Sequence, residues 1–88
     1  MDRVTMIRER LTAALAPERL EIEDESYRHA GHAGAKQGGH FAVSVSSAAF
    51  AGKRMLARHR MVYDALGDVM KTEIHALSLD CRVPGEGT

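Results

Sequence analysis

Apolar residues in this chain recur with a helical period at two places and with a period of two at three, and that succession permits few folds. Val4, Ile7, Leu11, Ala14 and Leu15 recur at three- and four-residue spacing, which is one stripe along a helix. Asp2 stands where an N-terminal cap is wanted. Pro17 ends the helix, because it lacks an N–H and disfavours helical backbone at Ala16. Over residues 20–25, Leu20 and Ile22 alternate with Glu21 and Glu23; over residues 41–47, Phe41, Val43 and Val45 alternate with Ala42, Ser44 and Ser46. Period two with one polar side marks half-buried strands. Residues 53–71 return to the helical period, with Leu56, His59, Val62, Tyr63, Leu66, Val69 and Met70 on one stripe. Residues 75–81 alternate again and place His75, Leu77 and Leu79 on one face.

The expected class is therefore α+β, in the order α-β-β-α-β. The first two strands pair as a hairpin. The helix before the last strand is long enough for a right-handed crossover, which makes strands two and three parallel. Two helices on one face of a three-stranded mixed sheet is the simplest packing. Residues 1–82 are expected to form the domain and residues 83–88 a disordered tail, because Pro84-Gly85-Glu86-Gly87-Thr88 has no core-forming side chains.

Composition narrows the functions available. Eighty-eight residues bury roughly 60–65% of their unfolded surface, enough for one modest core. Twelve basic residues balance twelve acidic ones, so no global field draws the chain to nucleic acid or an anionic membrane. Cys81 is the single cysteine; it permits no internal disulfide, no Cys-x-x-Cys chemistry and no zinc ribbon. That usage fits a reducing cytoplasm. No apolar run approaches a membrane span, and the charged N-terminus does not read as a signal peptide.

Histidines are concentrated in one place. The hairpin connection reads Tyr27-Arg28-His29-Ala30-Gly31-His32-Ala33-Gly34-Ala35-Lys36-Gln37-Gly38-Gly39, and His40 closes it. Ordinary hairpin loops have about 2–5 residues, and long ones are commonly functional or disordered. Neutral imidazole suits zinc, copper, iron and nickel, and glycines let a loop fold around a metal without strain. A solvated loop with idle histidines explains the same composition. His75 reads either as a core or edge residue or as a ligand, and His59 as a packing residue.

The long helix carries Lys53, Arg54, Arg58 and Arg60 in its first half. This opposes the helix dipole at up to ~0.3–1 kcal/mol per exposed charge. An anionic partner, including nucleic acid, would justify that cost; a solvated basic face is the plainer reading. Catalytic constellations are missing: no serine sits in a nucleophile elbow, and no glycine-rich stretch matches a P-loop or dinucleotide fingerprint. The chain is expected not to be an enzyme.

Four strings, in order, resemble the BolA family. Phe50-Ala51-Gly52 with Arg58-His59-Arg60-Met61-Val62-Tyr63 resembles its Phe-x-Gly and Arg-His-Arg-x-Val-Tyr signature. Glu25-Ser26-Tyr27-Arg28-His29 resembles its Glu-Ser-x-x-His segment, Gly39-His40-Phe41 its second strand, and Ile74-His75-Ala76-Leu77 its closing strand. The resemblance spans residues 4–81 and implies a fold similar to type II KH domains. It implies pairing with a monothiol (Cys-Gly-Phe-Ser) glutaredoxin around a shared [2Fe-2S] cluster. The glutaredoxin then gives a cysteine and a bound glutathione thiolate, and the BolA side gives two ligands. The closing-strand histidine is His75 here. The motif match puts the second at His29, with His40 as rival and His32 a poorer fit. With no cysteine in the loop, this is a histidine-type member.

Histidine ligation is expected to raise the cluster's potential, as in Rieske centres. The resemblance also implies links to transcription, stress response and cell shape. Nucleic-acid binding through Lys53, Arg54, Arg58 and Arg60 is the rival function. Against it, Gly31-His32-Ala33-Gly34 has the letters of a KH clamp but lies in the hairpin connection. Alone, the chain is expected to be a monomer or weak homodimer.

Overall fold

The structure, a computed structural model, describes residues 2–26 and 39–85. Helix α1 (Arg3–Leu15) starts at Asp2, whose carboxylate accepts the Thr5 N–H at 2.8 Å. That bond satisfies one of the donors a helix start leaves open, and it lowers the Asp2 pKa. Ile7, Leu11 and Leu15 are the buried line of α1. Its end is tight: Ala16 takes φ 43° with its N–H on the Thr12 carbonyl, and Pro17 follows. A non-glycine residue there stores strain of order 1 kcal/mol. The buried Ser47 hydroxyl donates to the Leu15 carbonyl at 2.6 Å and so satisfies the helix end.

Strand β1 (Arg19–Asp24) pairs antiparallel with β2 (Gly39–Ser46), and β2 pairs parallel with β3 (Ile74–Arg82). The order is β1-β2-β3, so β2 is central. Phe41, Val43 and Val45 point from β2 to the helix side, each 2% exposed. They form one core with Ile7, Leu11, Leu15, Phe50, Val62, Leu66 and Cys81. Among the described residues no helix covers the opposite face, with Ser44, Ser46, Glu21 and Asp80. The α+β class, the mixed sheet and its pairing are as the periodicity indicates.

Three expectations need correcting. Residues 53–71 are not one helix: α2 (Met55–Leu66) stops at Gly67, which takes φ 54° and ψ −126°, and α3 (Asp68–Thr72) begins after it. Glycine permits that turn, while Leu66 and Val69 stay buried on either side and keep the apolar period running through it. The buried line of α2 is Arg58, Val62 and Leu66. At about 100° per residue, Leu56 and Tyr63 lie roughly 100–120° around from that line, hence outside the core. Finally, Val83 packs against the core and Pro84-Gly85 form a turn, so the ordered chain extends past residue 82. The remainder of the expected tail, 86–88, lies outside the described residues.

Candidate functional site

β3 does not alternate regularly. Gly39 pairs with Ile74 while His40 pairs with Ala76, so His75 is an extra residue at a bulge. Ile74 faces the core, 5% exposed, and His75 is exposed. This corrects the expectation that His75 shares the face of Leu77 and Leu79. A bulge re-aims one side chain without disturbing those after it, and here it turns an imidazole out of the core.

His40 meets it. The two rings lie with centroids 5.0 Å apart, tilted by 49°. His40 is fixed through its backbone: its N–H donates to Ser26 Oγ at 3.0 Å, and its carbonyl accepts the Glu25 N–H at 2.7 Å. Ser26 is held in turn by its N–H on the Asp24 carboxylate at 2.9 Å. Gly39 makes the clasp possible. A Cβ there would stand 2.5 Å from Ser26 Oγ and 2.6 Å from the Phe41 ring.

Two imidazoles sharing a tetrahedral metal, with metal–nitrogen bonds of about 2.0–2.1 Å, place their centroids about 5 Å apart. The observed spacing fits that, and also lies in the ordinary range for stacked rings. Among the described residues no group of three or more His, Cys, Asp or Glu could hold a metal. The described part of the site therefore offers two imidazole rings and no third candidate donor beside them. His29 and His32 lie outside the described residues.

The basic residues do not form one face. Lys53, Arg54 and Arg60 are exposed. Arg54 stands at the cap position of α2 and makes no side-chain cap bond. Arg58 is 8% exposed. Its Nε donates to the Lys53 carbonyl at 2.9 Å and its Nη1 to the Cys81 carbonyl at 3.1 Å. Its expected place on a nucleic-acid or partner surface is thereby corrected: its charge is spent on backbone carbonyls inside the protein. His59 is half-buried.

Cys81 is fully buried, and burial pushes its thiol up to about 11, with Asp80 adding to the shift and Arg58 opposing it. It stays protonated at neutral pH. Because the folded value exceeds the unfolded one, the protonated thiol favours the fold below the unfolded value of about 9. That contribution is lost as pH rises through about 11. Native protein is expected to resist a thiol reagent at neutral pH and to label on unfolding, with a lower urea midpoint in alkali. Rapid labelling of folded protein would contradict this.

A shallow groove on the open face, lined by Arg19, Glu21, Ser44, Ser46, Asp80 and Arg82, carries in-strand ion pairs, Arg19–Glu21 and Asp80–Arg82, each 2.8 Å. Ser44 is four residues along β2 from His40, roughly 13 Å at ~3.3 Å per residue, so the groove is separate from the histidines. No described helix is long and apolar enough to cross a membrane.

The sequence drew attention to His75 and the loop histidines but missed the bulge and the Ser26–His40 clasp. The available signal was Ser26 itself, placed just before the long connection. Comparison with known proteins agrees with the fold. Residues 11–86 match the family model described as BolA: BolA-like protein. The chain is 44% identical over 86 residues to SufE-like protein 1, chloroplastic/mitochondrial, of Arabidopsis thaliana, covering 91% of this chain and 23% of that protein. It is 48% identical over 73 residues to the DNA-binding transcriptional regulator BolA of Escherichia coli (strain K12), covering 83% of this chain and 68% of that one. The solved structure of the BolA domain of SufE1 from Arabidopsis thaliana superposes with a TM-score of 0.84 at 45% identity, covering 98% of this chain and 96% of the other. The chain thus spans less than a quarter of the first relative's length.

Proposed function

The chain belongs to the BolA-like family, and on that premise we propose that it works by binding, without catalysis, as the histidine-bearing partner of a monothiol glutaredoxin around a shared [2Fe-2S] cluster. The observation that supports this is the ring pair of His40 and His75 on the open sheet face, at 5.0 Å. His75 is the first ligand in this reading. The second is His29 by the motif match or His40 by proximity. When bound, the cluster supplies one-electron chemistry and a transferable iron–sulfur unit; glutaredoxin cysteine and glutathione complete its ligands. This chain orients two neutral nitrogens, and the Ser26 clasp holds one of their backbones in place. A reducing compartment, the cytoplasm in the simplest case, suits a thiolate-dependent complex.

The test mixes the full chain with its host's monothiol glutaredoxin, iron, sulfide and glutathione. A visible CD spectrum distinct from that of glutaredoxin alone is expected, and identical spectra would reject the proposal. Single substitutions then rank the loop: His29→Ala is expected to alter the spectrum more than His40→Ala, and His32→Ala least. A larger effect at His40 would make it the second ligand.

A second reading has its own support. The Escherichia coli relative is named as a DNA-binding regulator, and Lys53, Arg54 and Arg60 are exposed near the start of α2. With zero net charge and Arg58 withdrawn, binding to a DNA duplex is expected to be weak and salt-sensitive. The expected Kd is of order 10⁻⁴–10⁻⁶ M at physiological salt. A site bound near ~10⁻⁸ M or tighter, and lost in Arg60→Glu, would put regulation first.

A further inference from the structure

Helix α2 leaves large apolar side chains uncovered. Leu56 is 66% exposed, Met55 51% and Tyr63 41%, and these are the exposed large hydrophobics among the described residues. Single apolar residues on a surface mean little. Three on one helix of twelve residues form a pattern. Leu56 and Tyr63 are seven apart, two turns, and lie on one line; Met55 and half-buried His59 border it on the core side. Lys53 and Arg54 stand at one end of this stripe, and Arg60 lies on its solvent border.

The geometry points to α2 as the docking surface for an amphipathic helix of a partner protein whose apolar stripe is bordered by Asp and Glu. Charge selects this occupant. The partner's leucines would cover Leu56, Met55 and Tyr63, and its carboxylates would meet Lys53, Arg54 and Arg60. This is helix-to-groove recognition with anchors two turns apart, and Met and Tyr are residue types enriched at interfaces. A phosphate backbone fits poorly, because the middle of the face is apolar and its most exposed member, Leu56, would be dehydrated against charge. A second copy of the chain would bring the same basic border against its own. The surface is on the helix side of the sheet, whereas His40 and His75 are on the open side, so it is independent of the cluster reading.

The experiment uses the full, ¹⁵N-labelled chain without iron. The probes are a synthetic amphipathic helix with leucines at i, i+3, i+4 and i+7 and glutamates along both borders, the same helix with lysines, a DNA duplex, and phosphatidylserine vesicles. The glutamate helix is expected to shift the amide signals of Met55, Leu56 and Tyr63 and to leave those of Ser44 and Ser46 unmoved. Leu56→Ser and Tyr63→Ser are expected to weaken it by at least about tenfold with unchanged far-UV CD, since both side chains are exposed. Failure of the glutamate helix to shift these signals overturns the proposal. So does equal binding of the lysine helix, perturbation of the stripe by the duplex or vesicles instead, or the same shifts on concentrating the chain alone.

Discussion

Replacing His75 by alanine is expected to abolish the visible CD spectrum of the mixed cluster while leaving far-UV CD and the thermal midpoint almost unchanged. The two halves of that result have separate causes. His75 sits at the bulge, exposed, with its ring against His40 rather than in the core. Surface substitutions of that kind usually stay within about 0.5 kcal/mol. On the proposed reading His75 ligates the cluster, so its removal leaves iron one donor short and the assembly reverts to what the glutaredoxin holds alone. His75→Cys separates ligation from mere proximity. A thiolate there is expected to restore a spectrum, with a reduction potential below that of the histidine form. An unaltered visible spectrum in His75→Ala would remove His75 from the ligand set.

The second large effect is on stability. Arg58→Met is expected to cost roughly 2–4 kcal/mol, read as a lower urea midpoint. Two bonds from a guanidinium to backbone carbonyls are lost, at Lys53 and Cys81. Bonds to charged groups contribute about 1.5–3 kcal/mol each, and the abandoned carbonyls remain partly buried. Against a typical total of about 5–15 kcal/mol this is a large fraction. It corresponds to a fall of very roughly 10–20 °C in Tm for a domain of this size. Lysine cannot reproduce the two-pronged geometry, so Arg58→Lys should recover only part of the loss. Arg58→Glu would aim a carboxylate at carbonyl oxygens and unfold the chain, which disqualifies charge reversal there as a test of partner binding. A midpoint unchanged in Arg58→Met would show that the two bonds contribute nothing net.

Much of the architecture was legible because it is written in local period. The strands at Leu20 and Ile22 and at Phe41, Val43 and Val45 were placed on the correct sides by alternation alone, and Pro17 announced the end of α1. What could not be read depends on long-range geometry. Gly67 breaks a helix whose apolar stripe continues across the break, so periodicity conceals it. His75 has the same parity as Leu77 and Leu79, and only its pairing against β2 reveals the extra residue. Arg58 looks like a surface cation because its acceptors are backbone carbonyls, one of them on a strand 23 residues away. Leu56 looks like core because three- and four-residue spacing fixes a stripe but not which of two neighbouring stripes the sheet will cover. At the site, the sequence singled out His75, His29 and His40; the Ser26 clasp escaped it, since a hydroxyl bonded to a backbone N–H has no periodic signature.

The bulge has a consequence for the sheet as well as for the histidine. Among the described residues β1 and β3 are both edge strands, each with one side on which another chain could add a strand. β1 guards its edge with Arg19, Glu21, Glu23 and Asp24. β3 has Asp80 and Arg82 near its end, but its beginning, Ile74 to Leu77, bears no charge of its own apart from what His75 can carry. The irregular register falls at that unguarded stretch. A strand that carries an extra residue cannot offer an evenly spaced ladder to a newcomer, so the same backbone step that turns an imidazole out of the core also makes this edge a poorer template for strand addition.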